Sequence, residues 1–535
     1  MRGIRDQRRQ REFFCPTGRK QLNLDPGVTA PLGAILLKDS PSGRLDKKQG
    51  KCLPVSGTRC ASDGISITVM RFLFFIIPAV CFAHSPSIAC PPSDSTEASP
   101  AVLKKPLQIE LPLLDLPFNL SHGFSFPSIH QSIAVTASVT QGAHHALKVL
   151  WNPDLSDRSP KGLMSNRRLG GLCSSILILD ALLPFRGWAH EEGHRAVLTR
   201  RDISSRNDIY KNPFAEMVSV SHVRDEDLAM LKGRHPADMV RLAEAGGEAQ
   251  LELVQRMRKE NFFGGRSSWL DLPDWWINVG TLAYYIMLCG SDGANRIIEE
   301  ETLKEDADVL KRDVVGGDYL SWVYDLFRPD EPYLSGVRGR PHPSGTGVDR
   351  YIQPYELSSE ELRYLRLQGG LILLNFLSPQ MFGFNRFRGT NPFTHEPFWW
   401  NTALTHHPAS FGTSTRLHVF YQEGALNLVL TWENYFSRHR YWPGLSAELL
   451  QYPLKIGGKM IPVCASASVW LQPQAQRFDS KRAQAGCGLM FRAVFPFTRA
   501  LSGFLECNAK TAGWMPGNVY LEPAFQARAG VVFSL

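Results

Sequence analysis

His190 and His194, with Glu191 between them, are the residues whose types and spacing best fit a chemical task. They lie in Trp188-Ala189-His190-Glu191-Glu192-Gly193-His194-Arg195-Ala196-Val197-Leu198, after an apolar run, Leu172 to Phe185, that predicts helix continuing into the motif. On a helix, positions i and i+4 project from one face. Two imidazole nitrogens at that spacing can reach a single zinc ion at roughly 2.0–2.1 Å. Glu191 falls on the adjoining face, where a carboxylate can polarise a metal-bound water without being a ligand.

This His-Glu-x-x-His stretch resembles the zincin metallopeptidases. The resemblance implies that His190 and His194 bind Zn2+ and that Glu191 is the general base. The chain departs from the family where Glu192 and Arg195 replace the usual uncharged residues. That departure predicts either a less buried side of the helix or a partner for each charge. So short a pattern also arises by chance on ordinary helices, which makes a third ligand the deciding requirement.

Zincins of the gluzincin type take that ligand from a Glu on a second helix downstream. Pro236 opens such a helix, with Asp238 in its first turn. Its middle carries Ala243, Ala245, Gly246, Gly247 and Ala249 beside Glu244 and Glu248. Each Gly inside a helix costs roughly 1 kcal/mol against Ala, which predicts a close approach by another backbone. By the resemblance Glu248 is the third ligand, with Glu244 in reserve and Asp225, Glu226 and His222 as further candidates.

Charge argues against a nucleic-acid partner. The formal net charge of the 535 residues is +8, yet residues 1–69 alone hold 13 Lys+Arg against 6 Asp+Glu, so the remainder is near neutral. Those first 69 residues lack apolar periodicity and read as a non-native or disordered extension. Residues 70–89 have one positive charge, about a dozen apolar residues and then small ones, the layout of a secretory signal peptide. Residues 90–130, rich in Pro and Ser at the start, read as a linker.

Period-two alternation at Ser132–Val139 and His145–Trp151 predicts a strand pair across 131–152. Residues 160–380 read as the helical, metallopeptidase-like region, with a Pro-, Gly- and Arg-rich loop from Pro329 to Pro354. Its two later apolar segments, Trp275–Cys289 and Leu365–Leu377, are about 14 residues each, too short for membrane spans of about 20, and predict buried helices. Residues 381–410 read as a connection.

From 411 to 535 alternating segments separated by turn residues predict an antiparallel β region. In the last of them Phe525, Ala527, Ala529, Val531, Phe533 and Leu535 share one face. This resembles the terminal strand of bacterial outer-membrane β-barrels, which implies a barrel and agrees with an export signal at the other end. The expectation is an α+β protein, its helical zincin-like region inserted between or followed by antiparallel strands. It would be exported to the outer membrane or periplasm of a Gram-negative-type cell and hydrolyse peptide or protein substrates through Zn2+. The alternative is a noncatalytic outer-membrane barrel with a helical interaction or plug insert.

Overall fold

A computed structural model describes residues 107–151, 187–208, 219–265, 271–291 and 293–535. The expected N-terminal extension, the signal peptide, the linker up to residue 106 and the apolar run before the motif lie outside the described residues. The rest is an α+β arrangement of helices against one large antiparallel sheet.

Ten strands make that sheet. They are β1 (Gln108–Leu116), then, beyond a two-stranded pairing of β2 (Arg206–Asn207) with β3 (Val220–Ser221), the strands β4 (Phe387–Thr390), β5 (Pro397–Ala409), β6 (Gly412–Glu423), β7 (Leu426–Phe436), β8 (Tyr441–Ile456), β9 (Lys459–Pro473), β10 (Ala483–Pro496), β11 (Leu501–Lys510) and β12 (Ala524–Ser534). Neighbours run β1-β12-β11-β10-β9-β8-β7-β6-β5-β4. From β4 to β12 each strand pairs with the next in sequence, and β1 returns to lie against β12.

Polarity across this sheet is inverted. A strand sends alternate side chains to opposite faces, and here the covered face is the charged one. Arg492, Glu506, Arg528 and Asp115 are direct cross-strand partners on β10, β11, β12 and β1. Arg528 Nη1 donates to Glu506 at 2.8 Å, and Arg528 Nε lies 3.3 Å from Asp115. The opposite face is apolar and open: Leu430, Trp432, Leu445, Val469, Leu489, Phe491, Leu505 and Phe525 are all exposed.

Helices pack on the covered face and on one another. In chain order these are α1 (Phe118–His122), α2 (Ile129–Trp151), α3 (described over 187–200), α4 (Asp225–Arg234), α5 (Pro236–Gly264), α6 (Leu272–Cys289), α7 (Ala294–Lys304), α8 (Asp318–Phe327) and α9 (Ser359–Leu371). Helix α5, 29 residues and roughly 43 Å long, supplies partners to the sheet along one stripe. Arg241 and Glu248 meet the β11–β12 connection, Glu252 meets Arg416, Arg256 lies 3.1 Å from Glu110, and Lys259 lies 2.9 Å from Glu448.

The sheet does not close on itself. Side chains meet the edge strand β1 at one end and, at the other, the part of β5 left open beyond the short edge strand β4. On β1, Ser138 Oγ of α2 accepts from the Glu110 amide (2.9 Å) and donates to the Glu110 carbonyl (2.7 Å). On β5, Asn375 accepts from the His406 amide (3.2 Å) and donates to its carbonyl (3.0 Å), while Ser378 serves Leu404 in the same way. Polar side chains thus meet the edge groups that would otherwise invite another strand.

Three expectations need correction. The strand pair expected over 131–152 is not found: residues 131–151 fall in helix α2, and residue 152 lies outside the described residues. Packed between β1 and α5, that helix is mostly buried over residues 129–144, and its Ala and Ser positions imitate alternation. The linker expected over 90–130 contains β1, whose pattern was obscured by Pro112; the proline sits where the register shifts between Pro112 and Leu114, a position an edge strand tolerates. The connection expected over 381–410 contains β4 and β5, because His406 and His407 are buried strand residues. Asn375→Ala leaves two buried backbone groups of β5 without partners. It is expected to lower unfolding free energy by about 2–4 kcal/mol, measured by denaturant titration; a change under about 0.5 kcal/mol would mean that the edge is solvated.

Candidate metal centre

Helix α3 carries the motif as expected, and its two imidazoles point the same way. His190 Nε2 and His194 Nε2 are 3.1 Å apart. Each ring is held by its other nitrogen. His194 Nδ1–H donates to the Leu242 carbonyl at 2.5 Å, and His190 Nδ1–H donates to Gln250 Oε1 at 3.3 Å. Both acceptors are on α5. This fixes the tautomer so that both Nε2 lone pairs face one point, the outer-shell arrangement of metal-bound histidines.

The third donor at that point is Asp318. Its Oδ2 lies 3.1 Å from His190 Nε2 and its Oδ1 3.6 Å from His194 Nε2. Among the described residues these three form the group whose geometry could hold a metal ion. A tetrahedral ion with ligands at about 2.0–2.1 Å separates neighbouring donors by roughly 3.3–3.4 Å, close to the distances found here. Asp318 opens helix α8 directly after Gly316 (φ 61°) and Gly317 (φ 97°), and this left-handed pair turns the chain so that the carboxylate meets the imidazoles.

The small residues of α5 act as predicted: they admit another backbone. A Cβ at Gly193 would fall 2.5 Å from the Ala245 carbonyl oxygen. One at Gly246 would collide with Nε2 of both imidazoles, 2.5 Å from that of His190. Gly246 therefore forms the floor beneath the donors.

Glu248 is not brought to this cluster. It lies two positions beyond Gly246, about 200° around the helix, and faces the sheet. There Glu248 Oε1 accepts from Arg241 (3.0 Å) and the Gly517 amide (2.7 Å), and Oε2 accepts from Trp514 Nε1 (2.9 Å). Glu244 is buried on the same side with Arg241 3.7 Å away. Burial raises both carboxyls above the usual range, and for Glu244 the charge of Glu248 adds to the rise. Asp225 instead binds Arg350 and the Val348 amide. Asp318 escaped the sequence reading because it lies 128 residues beyond His190 and is an Asp; the one signal was Gly-Gly-Asp before an apolar helix.

Glu191 is buried beside the cluster. Burial pushes its carboxyl well above the ordinary value; His194 opposes the shift, while Asp313, Asp318 and Glu192 add to it. Burial disfavours a charged His194, yet Asp318, Glu191 and the Leu242 carbonyl carry it up to about 10. Burial likewise resists ionisation of Asp318, but the two imidazoles hold it well below the carboxylate range. The donor set attracts positive charge, which a divalent cation would supply. Glu192 and Arg195 pair with each other at 2.6 Å on the far side of α3, and the Arg195 guanidinium lies 4.8 Å from the Phe126 ring centre. The motif's departure from the zincin pattern thus leaves the His face intact.

Compared with known proteins, the chain matches no family model, no curated protein and no solved structure. About one zinc per chain is expected by elemental analysis, lost in His190→Ala and Asp318→Ala and reduced in Gly246→Ala. Folded Glu248→Ala should keep the metal. Metal lost from Glu248→Ala and retained by Asp318→Ala would reverse the assignment.

Proposed function

We propose that this chain is a metal-dependent hydrolase of zincin type, exported and seated in an outer membrane. The convergence of His190 Nε2, His194 Nε2 and the Asp318 carboxylate beside buried Glu191 carries the catalytic part of this reading. These three residues would hold the ion, and Zn2+ suits the two-imidazole, one-carboxylate donor set. When bound, such an ion supplies Lewis acidity toward a water and a carbonyl oxygen. The charge of a bound cation would offset the burial that raises the Glu191 carboxyl, and Glu191, as the carboxylate, takes a proton from the attacking water as the water oxygen bonds to the carbonyl carbon. It then returns that proton to the departing amine as the carbon–nitrogen bond breaks. Low accessibility, with side-chain exposure of 17% at His190, 13% at Asp318 and 2% at His194, admits substrate from the His190 and Asp318 side. A peptide or protein substrate follows from the zincin resemblance.

The inverted sheet supports the membrane part. Soluble proteins rarely expose apolar patches beyond a few hundred Å², whereas strands that face lipid outward and a polar interior inward alternate in the sense seen here. Aromatic residues lie toward both rims, with Trp432, Tyr441 and Phe525 at one and Tyr452, Phe497 and Phe533 at the other. Such girdles mark the interfaces of barrels in membranes. The reading is of a barrel-like wall of strands, open along one side, with the hydrolase inside.

Two measurements test these parts separately. Glu191→Gln should keep its zinc and lose peptide hydrolysis by at least about 100-fold; equal activity in this variant, or none in the zinc-loaded parent, would overturn the enzyme. Leu489→Arg should weaken folding into phospholipid vesicles by about 2–4 kcal/mol. A parent chain that folds in buffer and stays out of vesicles would overturn the membrane seat.

A further inference from the structure

Helix α6 is apolar all round, yet only one of its sides is covered. Trp275, Val279, Leu282, Ala283 and Ile286 pack inward. Outward, at helical spacing, run Pro273, Trp276, Ile277, Gly280, Thr281, Tyr284, Met287 and Leu288, with Trp276 45%, Tyr284 63% and Met287 42% exposed. The sequence expectation of a buried helix therefore holds for one side alone. Its single charged residue, Asp274, is buried on the inner side. Of the two hydroxyls on the open stripe, Thr281 Oγ1 donates to the Ile277 carbonyl one turn back at 2.7 Å, and the other is the phenol at the tip of Tyr284, a ring with an apolar body and a polar end of the kind that suits a membrane interface. A helix apolar on every side belongs in a core or in lipid.

Its place in the fold decides between these. Starting at the β1 edge, α2 packs on β1. His144 of α2 lies 3.2 Å from Asp271, the residue just before α6. Helix α6 then packs on the turn Ile372–Leu377, where Trp276 meets Phe376 with ring centres 4.7 Å apart, and that turn packs on β5. Helix α6 is thus linked by contacts to β1 on one side and, on the other, to the stretch of β5 that runs on beyond the short edge strand β4. Its 18 residues span roughly 27 Å, matching the apolar band of about 25 Å on a membrane barrel.

We infer that α6 is a stave of the wall, its Trp276–Tyr284–Met287 stripe resting against bilayer hydrocarbon and continuing the apolar belt between β1 and β5. This rests on the membrane reading of the sheet. No helix among the described residues is long and apolar enough to cross a membrane, so α6 would hold this place by packing on its neighbours. Lipid-exposed sheet edges do not occur in bilayers, and a helix whose backbone is satisfied internally meets that condition where the two edges fail to join.

The test uses the full chain in phosphatidylcholine vesicles, with a genetically encoded nitroxide side chain at Tyr284 or Met287 and, as sheet references, at Val469 or Leu489. Relaxation by oxygen, which concentrates in hydrocarbon, is compared with relaxation by a water-soluble nickel chelate. Oxygen-dominated relaxation at all four sites is the expected result. Hydrocarbon at Val469 and Leu489 with water at Tyr284 and Met287 would overturn the stave and leave the membrane seat standing. Water at all four would overturn the membrane seat and the stave with it. If a label at Tyr284 prevents folding, Met287 on the same stripe gives the same reading.

Discussion

Charges on the covered face of the sheet must find partners, and much of the architecture follows from that requirement. Arg492, Glu506, Arg528 and Asp115 stand side by side across four strands with alternating sign. Removing one partner of a buried pair strands the other, commonly at a cost of about 3–5 kcal/mol. The strands cannot supply every counter-charge themselves. Glu110, Arg416 and Glu448 meet Arg256, Glu252 and Lys259, all on one stripe of α5. A long helix with charges three, four or seven residues apart answers a sheet whose inner face is charged along much of its length.

The same helix sets the geometry of the His190–His194–Asp318 cluster from its other side. Leu242 and Gln250 orient the two imidazoles through their second nitrogens, and Gly246 lies beneath them. Because Glu248 and Glu252 of α5 are turned to the sheet and its β11–β12 connection, the motif-facing side around Gly246 is small and uncharged, and the third donor arrives on another element. Asp318 does so at the start of α8, which packs on α5. Site and wall are therefore coupled: a shift of α5 toward the strands would withdraw both the floor and the ring anchors of His190 and His194.

The sequence was most legible where chemistry and geometry are local. His190, Glu191 and His194 sit within two turns of one helix, and the small residues of α5 announced a close approach that Gly193 and Gly246 make. Alternation from β6 onward likewise revealed strands, because their two faces differ sharply in polarity. Legibility failed where partners are distant or both faces are alike. Glu248 satisfied the spacing of a ligand-bearing helix, but the rotation of that helix is set by Arg416 and Glu448, far away in sequence. Helix α2, mostly buried over residues 129–144, has no polar face there to betray its period, and its small residues imitated a strand.

The unclosed sheet has a geometric reason. Ten strands about 4.8 Å apart and tilted near 40° would close into a barrel roughly 20 Å across its backbone. Inward side chains leave about 10 Å of that, room for one helix of 10–12 Å diameter at most. The donor cluster brings three helices into contact, since α3 gives the imidazoles, α8 the carboxylate and α5 the floor. No closed wall of ten strands can hold that set. Ser138 and Asn375 occupy hydrogen-bonding groups of β1 and of β5 beyond the short strand β4, so helices and not further strands adjoin the sheet at those places. On this argument the side-chain edge contacts belong to the same design as the donor cluster, because they give the cluster the width it requires.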